Sequence, residues 1–370
     1  MRHENRIEAD AIASAGFISP DDMRWQEALT GIKHDLYHRP EYSQLCAGHE
    51  GGRPMAFFAE MAHNRFLIPL LKKPVPVNMG GEPGWDLIAP YGYASPLLFE
   101  PHDGEALRAF LEAFRWAARK QGCITAFFRL HPLLSLPLST MEAYGRLVRH
   151  GETVSIDLTL SEACLWRQIR RDRRAGIRKL IRQGFRVVMD EWSGLDAFIQ
   201  IYRETMQRVA ARDFYFFDRD YFFGLRDRLQ EEMHLCQVFS PTGRLAAGGL
   251  YSMVNGIVQL HLSGTASEYC RMGPSKLMIH EIALACRAAG AELLHLGGGV
   301  GGRRDSLFEF KAAFSPLRHP YHTFRMVLME ERYREYCQCW KKDHENRVPS
   351  SDYFPLYRYS ERTRGGETRY

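Results

Sequence analysis

MHLCQVFSPTGRLAAGGLYSMVNGIVQLHLSGTASEYCRMGPSKLMIHEIALACRAAGAELLHLGG, residues 233–298, decides how the second half of the chain folds. Three strand-like runs, 233–239, 244–254 and 257–264, follow one another closely. Their connections, Pro241-Thr242-Gly243 and Asn255-Gly256, carry residues that tolerate positive φ, which is hairpin chemistry. A helix is expected from Ser275 to Ala289, closed by Gly290. A strand over 292–298, a short helix over 306–314 and a strand over 321–329 complete the order β-β-β-α-β-α-β.

Upstream, the alternating run 153–159 reads as a strand, 166–182 as a strongly basic helix and 185–191 as a strand, with two helical stretches continuing to about residue 230. The first half carries a helix start at 19–31 with Ser19 as cap and Pro20 in the first turn, and strands at 54–61 and 65–71. An amphipathic helix over 103–121 ends at Gly122, and a strand follows at 123–130. The proline-containing segment 131–152 has no sustained period, so it is expected to connect two halves near residue 150. The fold class is therefore α/β (α+β), with domains at 1–150 and 151–330 and a helix and fraying tail over 331–370.

A chain of 370 residues exceeds what one hydrophobic core usually supports, in keeping with two domains. A formal charge of +5 is too small to mark a nucleic-acid binder unless the positive residues cluster. Eight cysteines scattered through the chain, with a charged start (MRHENRIEAD) and no apolar run approaching roughly 18 residues, fit reduced packing residues in a cytoplasmic protein with no transmembrane segment. The glycine run 297–302 contains G-x-G-x-x-G but has no acid about 20 residues on, so it is expected to be a flexible loop beside the site. Cys337-Gln338-Cys339 with His344 has the wrong spacing for zinc, and no metal is expected.

Two features suggest anion binding. Between 166 and 186 nine basic residues face the single acid Asp172, and Arg170, Arg174, Arg178 and Arg182 recur every four residues, with Lys179 beside them. Such a row repels itself on a helix, and a phosphate-rich partner offsets that cost. The loop from Tyr269 to Lys276 offers Arg271, Gly273, Ser275 and Lys276 at a helix amino terminus, where backbone N–H groups attract anions. An ordinary strand-to-helix turn with Ser275 as cap reads equally well there.

The meander feeding a helix resembles the core of the GNAT acyltransferases. The loop departs from the usual Gln/Arg-x-x-Gly-x-Gly/Ala spacing of coenzyme A users, and Pro274 removes a donor. Three segments resemble the Fem-type aminoacyltransferases of that superfamily. They are Asp86-Leu87-Ile88-Ala89-Pro90-Tyr91-Gly92-Tyr93, Leu307-Phe308-Glu309-Phe310-Lys311-Ala312-Ala313-Phe314, and the basic helix followed by Gly184. The resemblance spans residues 35–330 and implies tandem GNAT-like domains with mixed central sheets, without the helical arm of some members.

It further implies an amide-forming transferase with no permanently bound cofactor. Aminoacyl-tRNA would be the donor, and the acceptor an amine-bearing molecule, either a phosphate-containing one in the way of a peptidoglycan precursor or a small natural-product amine; no DNA is implied. Asp86, Tyr91, Tyr93 and Phe310 would shape the acceptor site, and the basic helix and the 271–276 loop the donor site. Lys311 would stabilise the oxyanion, with Asp305 and His261 as candidate proton-handling helpers. Two rivals remain open at this stage: an acyl-coenzyme A donor with a sugar or small amine as acceptor, and a non-catalytic RNA-binding protein on the same scaffold.

Overall fold

The computed structural model describes residues 12–61, 64–76, 83–343 and 353–359. The chain divides into two compact units: the described residues up to Arg149 with His322–Tyr359, and His150–Tyr321.

The first unit contains β1 (Ser14–Ile18), α1 (Met23–Leu29), α2 (Pro40–Glu50), β2 (Arg53–Met61), β3 (Asn64–Pro74), β4 (Trp85–Ile88), β5 (Leu97–Leu98), α3 (Gly104–Lys120), β6 (Cys123–Arg129) and α4 (Leu138–Glu142). The chain leaves it through β7 (Arg146–Asp157). The second unit adds α5 (Glu162–Gln168), α6 (Arg171–Arg182), β8 (Arg186–Met189), α7 (Leu195–Arg208), α8 (Arg219–Leu229), β9 (Met233–Phe239), β10 (Leu245–Val254), β11 (Ile257–Thr265), α9 (Ser275–Ala288), β12 (Leu293–Gly297) and α10 (Ser306–Ala312). Strand β13 (Arg318–Val327) returns to the first unit, which α11 (Glu330–Asp343) completes. Among the described residues no helix is long and apolar enough to cross a membrane.

The two units repeat one construction. In the first, β2, β3 and β4 pair antiparallel in sequence order, α3 crosses over, and β6 lies parallel to β4. In the second, β9, β10 and β11 do the same, α9 crosses over, and β12 lies parallel to β11. One parallel pair among otherwise antiparallel pairings makes each unit's set of strands mixed, because only a helical crossover can return a strand in the same direction. Asn255 and Gly256, at φ 47° and 76°, close the β10–β11 hairpin. Helix α3 starts at an Asp103 cap and buries Leu107, Phe110, Leu111 and Phe114. Full burial of each such side chain stabilises by about 2 kcal/mol.

Several expectations need correction. Asp22, not Ser19, caps the first helix. The basic helix is two helices: Ile169 and Arg170 are extended, and the Arg170 N–H leaves the helical ladder to donate to the Ala313 carbonyl at 2.8 Å. Arg170 therefore stands at the α6 cap, outside the helical row of Arg174, Arg178 and Arg182. The glycine run is folded rather than slack. A Cβ on Gly151 would lie 1.8 Å from the Gly302 oxygen, and one on Gly299 would lie 2.1 Å from the Arg303 oxygen, so the backbones pack where only glycine fits. Part of the tail is docked as well: Tyr357 is buried, and the Arg358 Nε donates to Asp86 at 2.6 Å. Residues 1–11, 344–352 and 360–370, including His344, lie outside the described residues.

Candidate active site

Lys311 sits in the last turn of α10, one turn beyond the buried Phe308. Its ammonium donates to the Gly298 carbonyl at 2.7 Å and keeps two further N–H donors. Burial lowers its pKa to about 8, with the Asp305 charge opposing that shift. Asp305 caps α10: its carboxylate accepts from the Phe308 and Val300 N–H groups, both at 2.8 Å. A carboxylate so occupied fixes the glycine loop against the helix. Lys311 is thus a cation of tunable charge held against the glycine loop.

The two basic features expected from the sequence converge. Gly176, in the middle of α6, faces Lys276 at the start of α9, and a Cβ there would lie 2.8 Å from the Lys276 Nζ. Burial first, then the charges of Arg173 and Lys179, holds the Lys276 pKa below its ordinary value. Arg173 continues this cluster to α10, with its guanidinium over the Phe310 ring at 5.3 Å. Phe310 therefore lies beside the basic helix. Arg174, Lys179 and Arg182 enter no ion pair among the described residues; Arg178 covers the Trp166 ring at 5.2 Å, and Arg170 pairs with Asp172 at 3.7 Å. Arg173 and Gly176 were not picked out from the sequence, since neither lies on the four-residue row.

The loop before α9 satisfies itself. The Met272 and Gly273 N–H groups donate to the Tyr269 carbonyl, the Lys276 N–H to Gly273, and the Leu277 and Met278 N–H groups to Pro274. Gly273 takes φ 62°, Ser275 Oγ bonds Thr265 Oγ1 at 2.5 Å, and Lys276 Nζ donates to the Met272 carbonyl at 2.7 Å. Ser275 is thus tied to β11 instead of capping α9. Arg271 is exposed.

His261 is the extra residue of a β-bulge in β11, where the register shifts between Leu250↔Leu262 and Tyr251↔Leu260. Its Nε2 meets the Tyr221 hydroxyl at 3.0 Å. Burial depresses its pKa to about 3, so it stays neutral near pH 7 and takes no proton there. The expectation of a proton-handling role for His261 is corrected accordingly. The same sheet carries a row of buried polar side chains in register, Ser155 on β7, His295 on β12, Gln259 on β11 and Ser252 on β10.

In the first unit Asp86 does not line an open pocket. Fully buried, it accepts from Thr125 Oγ1, the Tyr357 hydroxyl and Arg358 Nε, each at 2.6 Å, and so anchors the returning tail. This corrects its expected acceptor-binding role. Tyr91 and Tyr93 are half-buried on a tight turn. The Tyr91 N–H donates to Glu50 at 2.7 Å, its carbonyl accepts from the Tyr42 hydroxyl, and the Tyr93 ring packs edge-on against Tyr37 and His131. Gly92, at φ 97°, leaves room for the Tyr37 ring.

Residues 167–311 match the family described as acetyltransferase (GNAT) domain, a stretch that includes α6, the α9 loop, the glycine run and Lys311. The second unit thus carries a GNAT acyltransferase domain, and the chain is an acyltransferase. No curated protein matches the chain. Among solved structures, FemX shares 14% identity at a TM-score of 0.66, over 87% of this chain and 99% of its own. L-PGS from Bacillus licheniformis shares 17% identity at a TM-score of 0.54, over 83% and 92% of the two chains. A C-terminal domain (DUF2156) assigned to a lysylphosphatidylglycerol synthetase from Agrobacterium fabrum shares 17% at a TM-score of 0.52, over 87% and 96%. At these identities the likeness is one of fold.

Proposed function

We propose that this acyltransferase forms an amide bond by moving an aminoacyl group from aminoacyl-tRNA to a primary amine. The observation that favours this donor is the self-satisfied loop before α9. The N–H groups of Met272, Gly273, Lys276, Leu277 and Met278 are taken by the Tyr269, Gly273 and Pro274 carbonyls, and Lys276 turns back onto Met272, so few backbone donors are left for a coenzyme A pyrophosphate. Alongside it, α6 presents Arg174, Lys179 and Arg182 without acidic partners among the described residues, which suits a run of phosphodiesters. The fold shared with FemX and L-PGS agrees with this reading.

In this mechanism the donor ester is already activated, so the protein supplies positioning and charge. The α6 arginines with Lys276 hold donor phosphates, and Lys311 stabilises the oxyanion that develops when the amine attacks the ester carbonyl. The acceptor is an amine-bearing molecule of the kind found in cell-wall precursors or small peptide products. Filter binding with bulk charged tRNA beside calorimetry with acetyl-coenzyme A tests the donor. Expected are salt-dependent tRNA binding, with log K falling by about 3 per decade of salt for four phosphate contacts, and coenzyme A binding weaker than about 1 mM. Micromolar coenzyme A binding without tRNA binding would refute the proposal.

A further inference from the structure

Thr153 stands on β7 with 1% of its surface exposed, and its hydroxyl has no hydrogen-bond partner among the described residues. Valine has the same shape without an unsatisfied buried hydroxyl, so threonine at this position is unfavourable for the fold by itself. One residue joins it to Lys311. Gly298, whose carbonyl accepts from the Lys311 ammonium at 2.7 Å, lies against this part of β7: a Cβ on Gly298 would fall 2.8 Å from the Glu152 oxygen and 3.6 Å from the Thr153 methyl carbon. Only glycine lets the two backbones approach so closely there.

Thr153 also opens a polar face. Thr153 and Ser155 share one side of β7, and from Ser155 the strand register continues through His295 on β12, Gln259 on β11 and Ser252 on β10, each no more than 2% exposed. The other side of the same strands carries Val154, Ile156, Leu294 and Val258, part of the apolar core. With strands about 4.8 Å apart, the row spans roughly 14 Å of the sheet. Its inner members make hydrogen bonds: Gln259 Oε1 meets His295 Nδ1 at 2.7 Å, Gln259 Nε2 donates to the Leu260 carbonyl at 3.2 Å, and Ser155 Oγ meets His319 Nε2 at 2.6 Å. The hydroxyls at its two ends, Thr153 and Ser252, have no partner among the described residues. Of the two, Thr153 is the one beside Gly298.

Resting on the aminoacyl-transfer reading, we infer that Thr153 is a specificity-determining residue whose hydroxyl binds the side chain of the transferred aminoacyl group, which therefore bears a hydroxyl or an amide. In this arrangement the ester carbonyl oxygen faces Lys311, and the side chain, which branches from the adjacent carbon, faces Thr153. A hydroxyl both donates and accepts, so it serves a serine or threonine hydroxyl and an asparagine or glutamine amide alike. An alanyl, valyl or leucyl group would leave the Thr153 hydroxyl buried without a partner, and that penalty discriminates against apolar donors. A cationic side chain is disfavoured by the Lys311 charge, and the row contains no Asp or Glu to offset it.

The test uses the full chain, lysinamide as acceptor, and bulk tRNA charged in separate preparations with one labelled amino acid each. Threonyl against valyl transfer, and seryl against alanyl, isolates one hydroxyl in each pair. Wild type is expected to favour the hydroxyl-bearing donor by about 10–100-fold in kcat/KM, the range of one buried hydrogen bond. T153V should bring both ratios within about threefold of unity, chiefly by slowing the threonyl and seryl reactions, and T153S should keep them at the wild-type value. S252A removes an equally buried hydroxyl at the far end of the row and should leave both ratios unchanged. Wild-type ratios near unity, ratios that survive in T153V, or ratios that S252A abolishes would overturn the inference. Wild-type protein that transfers no amino acid from any charged tRNA would instead overturn the donor reading, and this inference with it.

Discussion

Replacing Lys311 separates charge from structure. The ammonium donates to the Gly298 carbonyl at 2.7 Å, so K311M removes both a cation beside the proposed reaction centre and the partner of a carbonyl. The first loss is expected to cost about 3 kcal/mol of transition-state stabilisation, roughly a hundredfold in kcat. The second should cost about 1–3 kcal/mol of stability, read as a fall in the denaturation midpoint. The pH dependence decides between them. With a folded pKa of about 8, Lys311 is charged below pH 8 and loses its proton above it, so wild-type kcat should fall on the alkaline side through that value. K311R keeps its charge throughout the accessible range, so its alkaline limb should disappear. Linkage gives stability the opposite sign. Between pH 8 and the ordinary lysine value the unfolded chain binds the extra proton, so wild type should gain stability as pH rises across that window. Steady-state rates from pH 6 to 10 on wild type, K311M and K311R are sufficient. An alkaline limb that survives in K311R, or a K311M kcat equal to wild type, would refute an electrostatic role for this lysine.

Other perturbations probe the supporting structure. D86N should destabilise the first unit by about 3–5 kcal/mol, because it leaves the Arg358 guanidinium facing a neutral amide; urea titration followed by near-UV dichroism reads it, and an unchanged midpoint would refute the anchoring role. G176A places a Cβ 2.8 Å from the Lys276 Nζ and should displace that cation. The salt slope of tRNA binding should then shrink by just under 1 with little change in melting temperature, and an unaltered slope would remove Lys276 from the donor site. H261Q should flatten the loss of stability as pH falls from about 6.5 to 3, since in that window the unfolded histidine binds a proton that the folded one, at about 3, excludes. Parallel acid titrations of wild type and H261Q that superimpose would contradict it.

The repeated core was legible because its signals are local. Asn255-Gly256 demanded positive φ, and Gly290 and Gly122 closed helices at φ 84° and 70°. Elements set by distant partners were not. Strand β1 exists because Ser14–Ile18 pairs with β2, and α2 starts at Pro40 without a side-chain cap. The break at Ile169-Arg170 depends on the Ala313 carbonyl, some 140 residues away in sequence, which no window of basic residues contains. At the candidate site, Lys311 and Lys276 were found through motif and charge. Asp86 was misread because the groups that saturate it, Tyr357 and Arg358, come from a tail expected to fray. Arg173 and Gly176 were missed because their importance arises only when α6 meets α9 and α10. Ser155 and His319 sit 164 residues apart, and only strand packing joins them.

Donor identity is tested most directly by product formation in a two-donor competition. Purified protein is incubated with an amine acceptor mixture, tRNA charged with labelled amino acids and differently labelled acetyl-coenzyme A, and the amide products are resolved by mass. Transfer of the aminoacyl label alone, suppressed in parallel by K311M and by raised salt, is the predicted result. Transfer of the acetyl label alone would contradict it.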